Sequence, residues 1–315
     1  MLSSRRLTTT CLKRRGKSSL YPIAPLYLMT LPAIAAVAVF AYAPMFGLLA
    51  AFKNYNIWKG FFNSPWAAKH GLANFIAIFS NKQLMGSIGS TIQLSLLNLA
   101  TTLPLQLILA LLFNELTIRR FKRTVQTITY MPHFLSWISI IGLTKVLLDE
   151  YGFVNELALV FNPNHIRTLY LSRQKLFVPL LVILNNWREI GYGSIFFLSA
   201  ITAIDPQLYE AADVDGAGRL RQTWHITLPG ISTTAVVLFI LSIGSILGSN
   251  FDLVYGLRNP FILFDTIDTM VYKLGIGNGQ YSLTIALGLA RGLLALVLTL
   301  GVNFLSRKVN NVSVL

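Results

Sequence analysis

Charge is scarce in this sequence. Only 12% of its 315 residues are Asp, Glu, Lys or Arg, about half the share of an ordinary soluble domain. Acid is scarcer still, with twelve Asp and Glu in all. With 54% hydrophobic residues and a mean hydropathy of +0.60, too little polar surface remains to cover a soluble body, and far too much apolar surface is present for a disordered chain. A soluble enzyme is excluded. Cysteine is nearly absent: Cys11 alone cannot close an intrachain disulfide and says nothing of redox compartment. The four histidines, His70, His133, His165 and His225, are scattered, and none is assigned as a ligand. No H-E-x-x-H, paired cysteines or G-x-S-x-G occurs. Gly16-Lys17-Ser18 imitates the end of a phosphate-binding loop, but Cys11 stands where the leading glycine is required and no strand precedes it.

What the sequence does have is long intervals without charge. Spanning a bilayer takes about 20 mostly apolar residues. Residues 18–52, 83–114, 124–144 and 222–251 meet that condition, and two more spans appear when a central charge is allowed, over 177–203 and 282–305. The expectation is an all-α integral membrane protein of six helices, at about 24–50, 88–114, 126–148, 177–203, 233–256 and 282–305. A closed barrel would show ten-residue alternation instead. The excess of basic residues, a formal +14, would suggest nucleic acid in a soluble protein. Here it records the bias of cytoplasmic loops, and no nucleic-acid partner is expected. Arg5, Arg6, Lys13, Arg14, Arg15 and Lys17 crowd residues 1–20. If that tail is cytoplasmic, so are Arg119, Arg120, Lys122 and Arg123, then Arg219 and Arg221, then Arg307 and Lys308, which puts both termini inside. The tail is too charged and the first span too long for a cleaved signal, so the first helix is expected to stay.

The informative stretch is the loop over 205–231. Asp205 suits a helix N-cap and Pro206 the first helical position. A short helix is predicted from Pro206 to Val214, broken at Asp215-Gly216, followed by a second amphipathic piece and another break at Leu228-Pro229. Ala211, Ala212 and Gly216 keep the surface small, so that another protein can approach closely.

The run Glu210-Ala211-Ala212-Asp213-Val214-Asp215-Gly216-Ala217, with Ile226-Thr227-Leu228-Pro229 ten residues on, resembles the EAA motif of ATP-binding-cassette importer permeases. Asn186-Trp187-Arg188-Glu189-Ile190-Gly191 and the segment Gln126 to Phe134 resemble the polysaccharide and oligosaccharide branch of that family. The similarity extends from about Tyr21 onward, and an alginate-oligosaccharide importer permease is one member of that kind. The resemblance implies a type I importer fold whose coupling helix carries Glu210, Ala211, Ala212 and Asp213, ends at Asp215, Gly216 and Ala217, and docks in a cleft of an ATPase subunit. It also implies two such ATPases, which bind ATP and Mg while this chain binds no cofactor, together with a second permease, an extracytoplasmic solute-binding protein and a bacterial inner-membrane location. The chain departs from the pattern at Trp224, where Phe is common, and at Thr233 and Thr234, where many members carry a proline. Arg219 and Arg221 fit either an ATPase contact or an anchor to lipid headgroups.

A charge near the bilayer centre costs roughly 2.5–3.5 kcal/mol on insertion scales, so it usually faces a partner or a wet cavity. Asn185, Arg188, Glu189 and Tyr192 fall within about a 100° arc of the fourth helix. With Trp187, Asn250, Asp252 and Arg291 they are candidates for one polar substrate pathway, because sugars bind through planar polar groups and aromatic faces. The plainer reading makes Arg188, Glu189 and Arg291 structural ion pairs, and both can hold together. An excess of cavity arginine would favour an acidic sugar such as a uronate oligomer. The aromatics of 52–87 (Trp58, Phe61, Phe62, Trp66, Phe75) suit a membrane-interface belt better than a sugar platform. The function expected is a permease subunit of an ATP-driven oligosaccharide importer. The alternative is an ion-coupled secondary sugar transporter titrating at Glu189 or Asp252, which would leave the docking motif unexplained and lacks a convincing inverted repeat.

Overall fold

The computed structural model describes residues 24–244, 247, 248 and 250–310. The basic tail expected over 1–20, with its Gly16-Lys17-Ser18, lies outside them. The chain divides into two compact units, Met1–Leu49 and Ala50–Leu315. In the first, a helix over Ala24–Val37 contains Pro32 and passes into a π turn at Ala38–Tyr42; the 3-10 stretch Ala43–Phe52 begins there and runs past the boundary at Leu49. Pro44, which has no N–H to give to the preceding turn, sits at that change of pitch. Tyr27, Phe40 and Phe46 are exposed along it, as expected of side chains that meet lipid rather than water.

In the second unit every described regular element is helical. Among the described residues three helices are long and apolar enough to cross a membrane: Tyr27–Phe52, Lys82–Glu115 and Tyr281–Lys308. A pair of helices, Arg219–Gly230 and Ser232–Ile243, meets the same length and composition only when taken together, and is bent by 58°. The bend falls just after Leu228-Pro229-Gly230, where the sequence signals a break. The helix Gln174–Thr202 covers the fourth expected span; its 29 residues reach about 44 Å, although Lys175, Arg188 and Glu189 dilute its hydropathy.

Two expected spans are not single helices. Over 126–148 the chain forms a helix Arg119–Tyr130, a 3-10 turn at Met131–Phe134 around Pro132, and a new helix Trp137–Leu147 whose N-cap Ser136 accepts from Ser139 N–H. Over 233–256 one helix is described as far as Gly244, residues 247, 248 and 250 are not helical, and another helix begins at Phe251, N-capped by Asn250, which accepts from Leu253 N–H. In both places a fresh cap supplies backbone partners that the break removes.

The broadest pairing sets Lys82–Glu115 against Gln174–Thr202, and Ser232–Gly244 packs on Tyr281–Asn310. Leu94, Ile141, Phe177, Leu181, Leu253 and Val254 form one buried cluster. Ala110, Phe197, Ile201 and Ile231 form another.

The long connections are pinned by polar side chains. Lys53, 8% exposed, donates from Nζ to the carbonyls of Phe61 (2.9 Å) and Phe62 (3.3 Å) and lies over the rings of Phe61 and Trp66. Trp58 and Phe62 remain exposed beside it. Asn155 is fully buried. It donates to the carbonyls of Asp149 (2.8 Å) and Thr168 (2.9 Å) and accepts from Thr168 N–H (3.0 Å), so it closes the 149–168 excursion. Asn155→Leu leaves those backbone groups unpaired, which costs about 1–3 kcal/mol each when buried. A lowered unfolding temperature of the detergent-solubilised protein is expected. An unchanged one would show that the excursion holds its shape without this side chain.

Candidate functional site

The 205–231 loop folds as its residues dictate. Asp205 Oδ1 accepts from Gln207 N–H at 3.0 Å, Pro206 takes the first helical position, and the helix runs Pro206–Val214. It ends in a Schellman motif. Ala217 N–H donates to Ala212 carbonyl (2.9 Å) and Gly216 N–H to Asp213 carbonyl (3.1 Å), with Gly216 at φ +72°. The chain then doubles back. Gln222 Nε2 donates to Asp213 Oδ1 (2.5 Å) and to Ala217 carbonyl (3.0 Å), and the Tyr209 hydroxyl meets Thr227 Oγ1 at 2.9 Å. Glu210, Ala211, Asp213, Asp215 and Gly216 are exposed, while Ala212 and Ala217 are half-buried. Leu208, Val214, Leu220 and Trp224 also present apolar surface to the outside. Arg219 pairs with Glu115 at the end of helix 82–115, at 2.5 Å, which ties the loop to that helix; Arg221 is exposed.

Between helices 82–115 and 174–202 lies a cavity of about 190 Å³ lined by Ser95, Asn98, Thr102, Gln106, Asn185 and Ser242 among apolar neighbours. Ser95, Asn98, Thr102 and Gln106 fall within about 80° of one helix face. The stripe runs through a helix otherwise built of Leu and Ile. Thr102 Oγ1 donates to Asn186 Oδ1 (2.5 Å) and Asn186 Nδ2 donates to Thr101 Oγ1 (2.9 Å), which stitches the two helices together. Asn185 Nδ2 stands 3.5 Å from Thr102 Oγ1. Asn98 Oδ1 is buried and accepts no hydrogen bond among the described residues.

A second cavity, about 310 Å³, shares Gln106 and Ser242 with the first and adds His133, Glu189, Tyr192 and Phe196. The His133 ring stacks on Tyr192 at 3.9 Å and 3°. Its Nδ1 comes within 3.2 Å of Glu189 Oε2, an ion-pair distance without hydrogen-bond alignment. Arg188 binds the other oxygen of Glu189 at 2.6 Å, donates from Nε to the Leu135 carbonyl at 3.3 Å, and lies over the Trp137 ring.

Of the pathway residues expected from sequence, Asn185, Glu189 and Tyr192 line these two cavities, and Arg188 supports Glu189 from behind. Trp187 is exposed, and so is Asp252; Asn250 serves as a helix cap. Arg291 lines neither cavity. It is paired with Asp268 on the short helix Ile267–Val271. The two linings therefore contain no arginine, and the excess of cavity arginine considered above is not found there. Among the described residues no three His, Cys, Asp or Glu side chains converge as a metal site would require.

A helical body that turns apolar faces outward, holds an open polar cavity along its long helices and carries a capped loop knuckle has the features of a membrane permease. Residues 73–311 match the family described as binding-protein-dependent transport system inner membrane component, and the chain belongs to that family. It is the permease subunit of an ATP-binding-cassette importer, a transport subunit and not by itself an enzyme. Among its relatives is the polygalacturonan/rhamnogalacturonan transport system permease protein YteP of Bacillus subtilis (strain 168), 43% identical over 90% of this chain and 88% of that one. Protein LplB of the same organism is 39% identical over the same shares. A solved bacterial ABC transporter involved in the import of the acidic polysaccharide alginate matches at TM-score 0.84 and 35% identity, over 92% of this chain and 98% of that one. A second solved structure, of a bacterial alginate ABC transporter in complex with an alginate pentasaccharide-bound periplasmic protein, matches at TM-score 0.83 and 34% identity, over 94% and 98%.

Proposed function

We propose that this permease conducts oligosaccharides, with acidic uronate oligomers as the best-fitting class, along the connected cavities that Gln106 and Ser242 share. The observation that carries the reading is Asn98 Oδ1, a buried acceptor in the cavity wall that is unpaired among the described residues. Such a group costs about 1–3 kcal/mol when left unmet, and a sugar hydroxyl is the donor that would satisfy it. The names of the relatives, concerned with polygalacturonan, rhamnogalacturonan and alginate, supply the sugar class. All six expected spans then cross the inner membrane with both termini in the cytoplasm. The Glu210–Gly216 knuckle docks on a partner ATPase that binds ATP and Mg, and an extracytoplasmic binding protein delivers the sugar. Nucleotide acts by favouring the closed ATPase pair, and the knuckle transmits that preference to the cavity. Because cavities in one chain open toward its surface, a second permease completes the pathway.

The test is uptake by the assembled importer in proteoliposomes, with neutral and uronic oligosaccharides compared. Asn98→Leu removes an acceptor worth about 0.5–1.5 kcal/mol. It is expected to lower sugar-stimulated ATP hydrolysis about threefold to tenfold at saturating ATP, with basal hydrolysis unchanged. Unaltered stimulation would exclude this cavity as the route. Uptake that follows an ion gradient and survives ATP depletion would overturn the importer mechanism.

A further inference from the structure

Among the described residues the two cavities above are lined by no lysine or arginine, so a uronate chain needs its carboxylates met elsewhere. Cations gather instead at a third cavity, about 490 Å³, lined by Lys145, Tyr255, Gly256, Arg258, Asn259 and Pro260. That volume lies within the range of roughly 300–1,000 Å³ usual for small-molecule sites. The lining contains two cations and no carboxylate. Lys145, in the last turn of helix 137–147, is exposed and has no ion-pair partner among the described residues. Arg258 pairs with Asp265 at 2.6 Å, but the same carboxylate also serves Lys273 at 3.7 Å, so two cations share one acid. Asn259 is committed to structure: its Nδ2 donates to the Leu171 carbonyl and its Oδ1 accepts from Phe261 N–H. Asp252, on the same helix as Tyr255, does not line the cavity.

Tyr255 is 44% exposed and rigidly backed. Its ring stacks on Phe251 at 5.2 Å and 14°, and Tyr272 packs against it at 4.9 Å and 62°. A flat, fixed ring beside an unpaired ammonium is the arrangement that a charged sugar requires. The ring covers the sugar's C–H face, and the cation forms a charge-assisted hydrogen bond with its carboxylate. An interfacial tyrosine belt accounts for the ring alone, and a lysine reaching for lipid headgroups accounts for the cation alone. Neither accounts for both lining one open depression.

We infer that the Lys145–Tyr255–Arg258 cavity is a subsite that selects acidic over neutral sugars at the outer end of the pathway, with Lys145 as the carboxylate-binding residue. The inference rests on the oligosaccharide reading above and on the outward placement of the connection that follows helix 251–257.

The full importer, reconstituted with its binding protein and ATPases, is assayed for ATP hydrolysis stimulated by trigalacturonate and by its carboxyl-reduced neutral counterpart. Lys145→Ala is expected to raise the half-saturating concentration of trigalacturonate about threefold to tenfold, as loss of a partly solvated charged hydrogen bond would. The neutral trimer should be unaffected. Lys145→Arg should restore the charged trimer, and Tyr255→Ala should weaken both trimers while Tyr255→Phe does not. Equal losses for both trimers in Lys145→Ala, the result of a lipid anchor or a folding defect, overturn the subsite. So does no loss for either. If the unmutated importer responds to neither trimer, the sugar reading itself fails and takes the subsite with it; a response to both that is indifferent to Lys145 removes the subsite alone.

Discussion

Gly216→Val is expected to abolish most uptake while leaving the helices around the cavity folded. Gly216 sits at φ +72° in the Schellman turn that ends helix 206–214. A Cβ there would touch nothing, so the substitution acts through the backbone alone. The left-handed conformation costs a non-glycine residue roughly 1–2 kcal/mol, and β-branched side chains tolerate it least. Relieving that strain means opening the turn, which breaks the bonds from Ala217 and Gly216 back to Ala212 and Asp213 and withdraws the anchor points of Gln222. One or two kcal/mol is a factor of roughly 5–30 in the population of the intact turn. Because the turn shapes the proposed docking surface, uptake and ATPase co-purification should fall together by about that factor. A Glu210→Ala variant leaves the turn intact and separates loss of the contact from loss of the shape. Wild-type co-purification and uptake with Gly216→Val would contradict the docking role of this loop.

Gly191→Ala is expected to weaken the body itself. A Cβ on Gly191 would run into the carbonyl oxygen of Thr129, and backbone cannot swing away as a side chain can. The helix 119–130 would have to lift off helix 174–202. Overpacking of this kind costs about 1–3 kcal/mol, and roughly 2–4 °C of unfolding temperature per kcal/mol for a chain of this size. Gly193, two residues on, supplies the control. There the nearest atoms to a Cβ all belong to the side chain of Gln106, which can rotate. Gly193→Ala should therefore spare the unfolding temperature while moving Gln106 away from the Glu189 carbonyl that it now reaches at 3.2 Å. Equal melting of the two variants would show that the 119–130 contact is not what limits stability.

Where local chemistry decides the structure, it could be read in advance. Asp205, Pro206 and Gly216 mark the loop helix to the residue, because capping and left-handed turns depend only on neighbours. The sixth helix begins one residue before its expected start. The third expected span, in contrast, hid a break, since residues 131–137 contain no charge and a search for charge-free intervals passes over Pro132 and the capping serine. The stripe at Ser95, Asn98, Thr102 and Gln106 is hidden in the same way: neutral polar residues do not interrupt a charge-free interval, although their spacing of three and four is legible on a helix. His133 had no visible meaning because Glu189 and Tyr192 lie far along the chain. Arg291 resembles Arg188 in being a charge within a span, but its partner Asp268 belongs to a connection whose fold the sequence does not announce.

The clasp around Lys53 has one further consequence. It is built from two main-chain oxygens and two aromatic faces, with no carboxylate as counter-ion among the described residues. Acidifying the medium protonates carboxylates and loosens ordinary ion pairs, but nothing in this grip can be neutralised that way. The segment it fastens should keep its form in sour surroundings where other surface bridges let go.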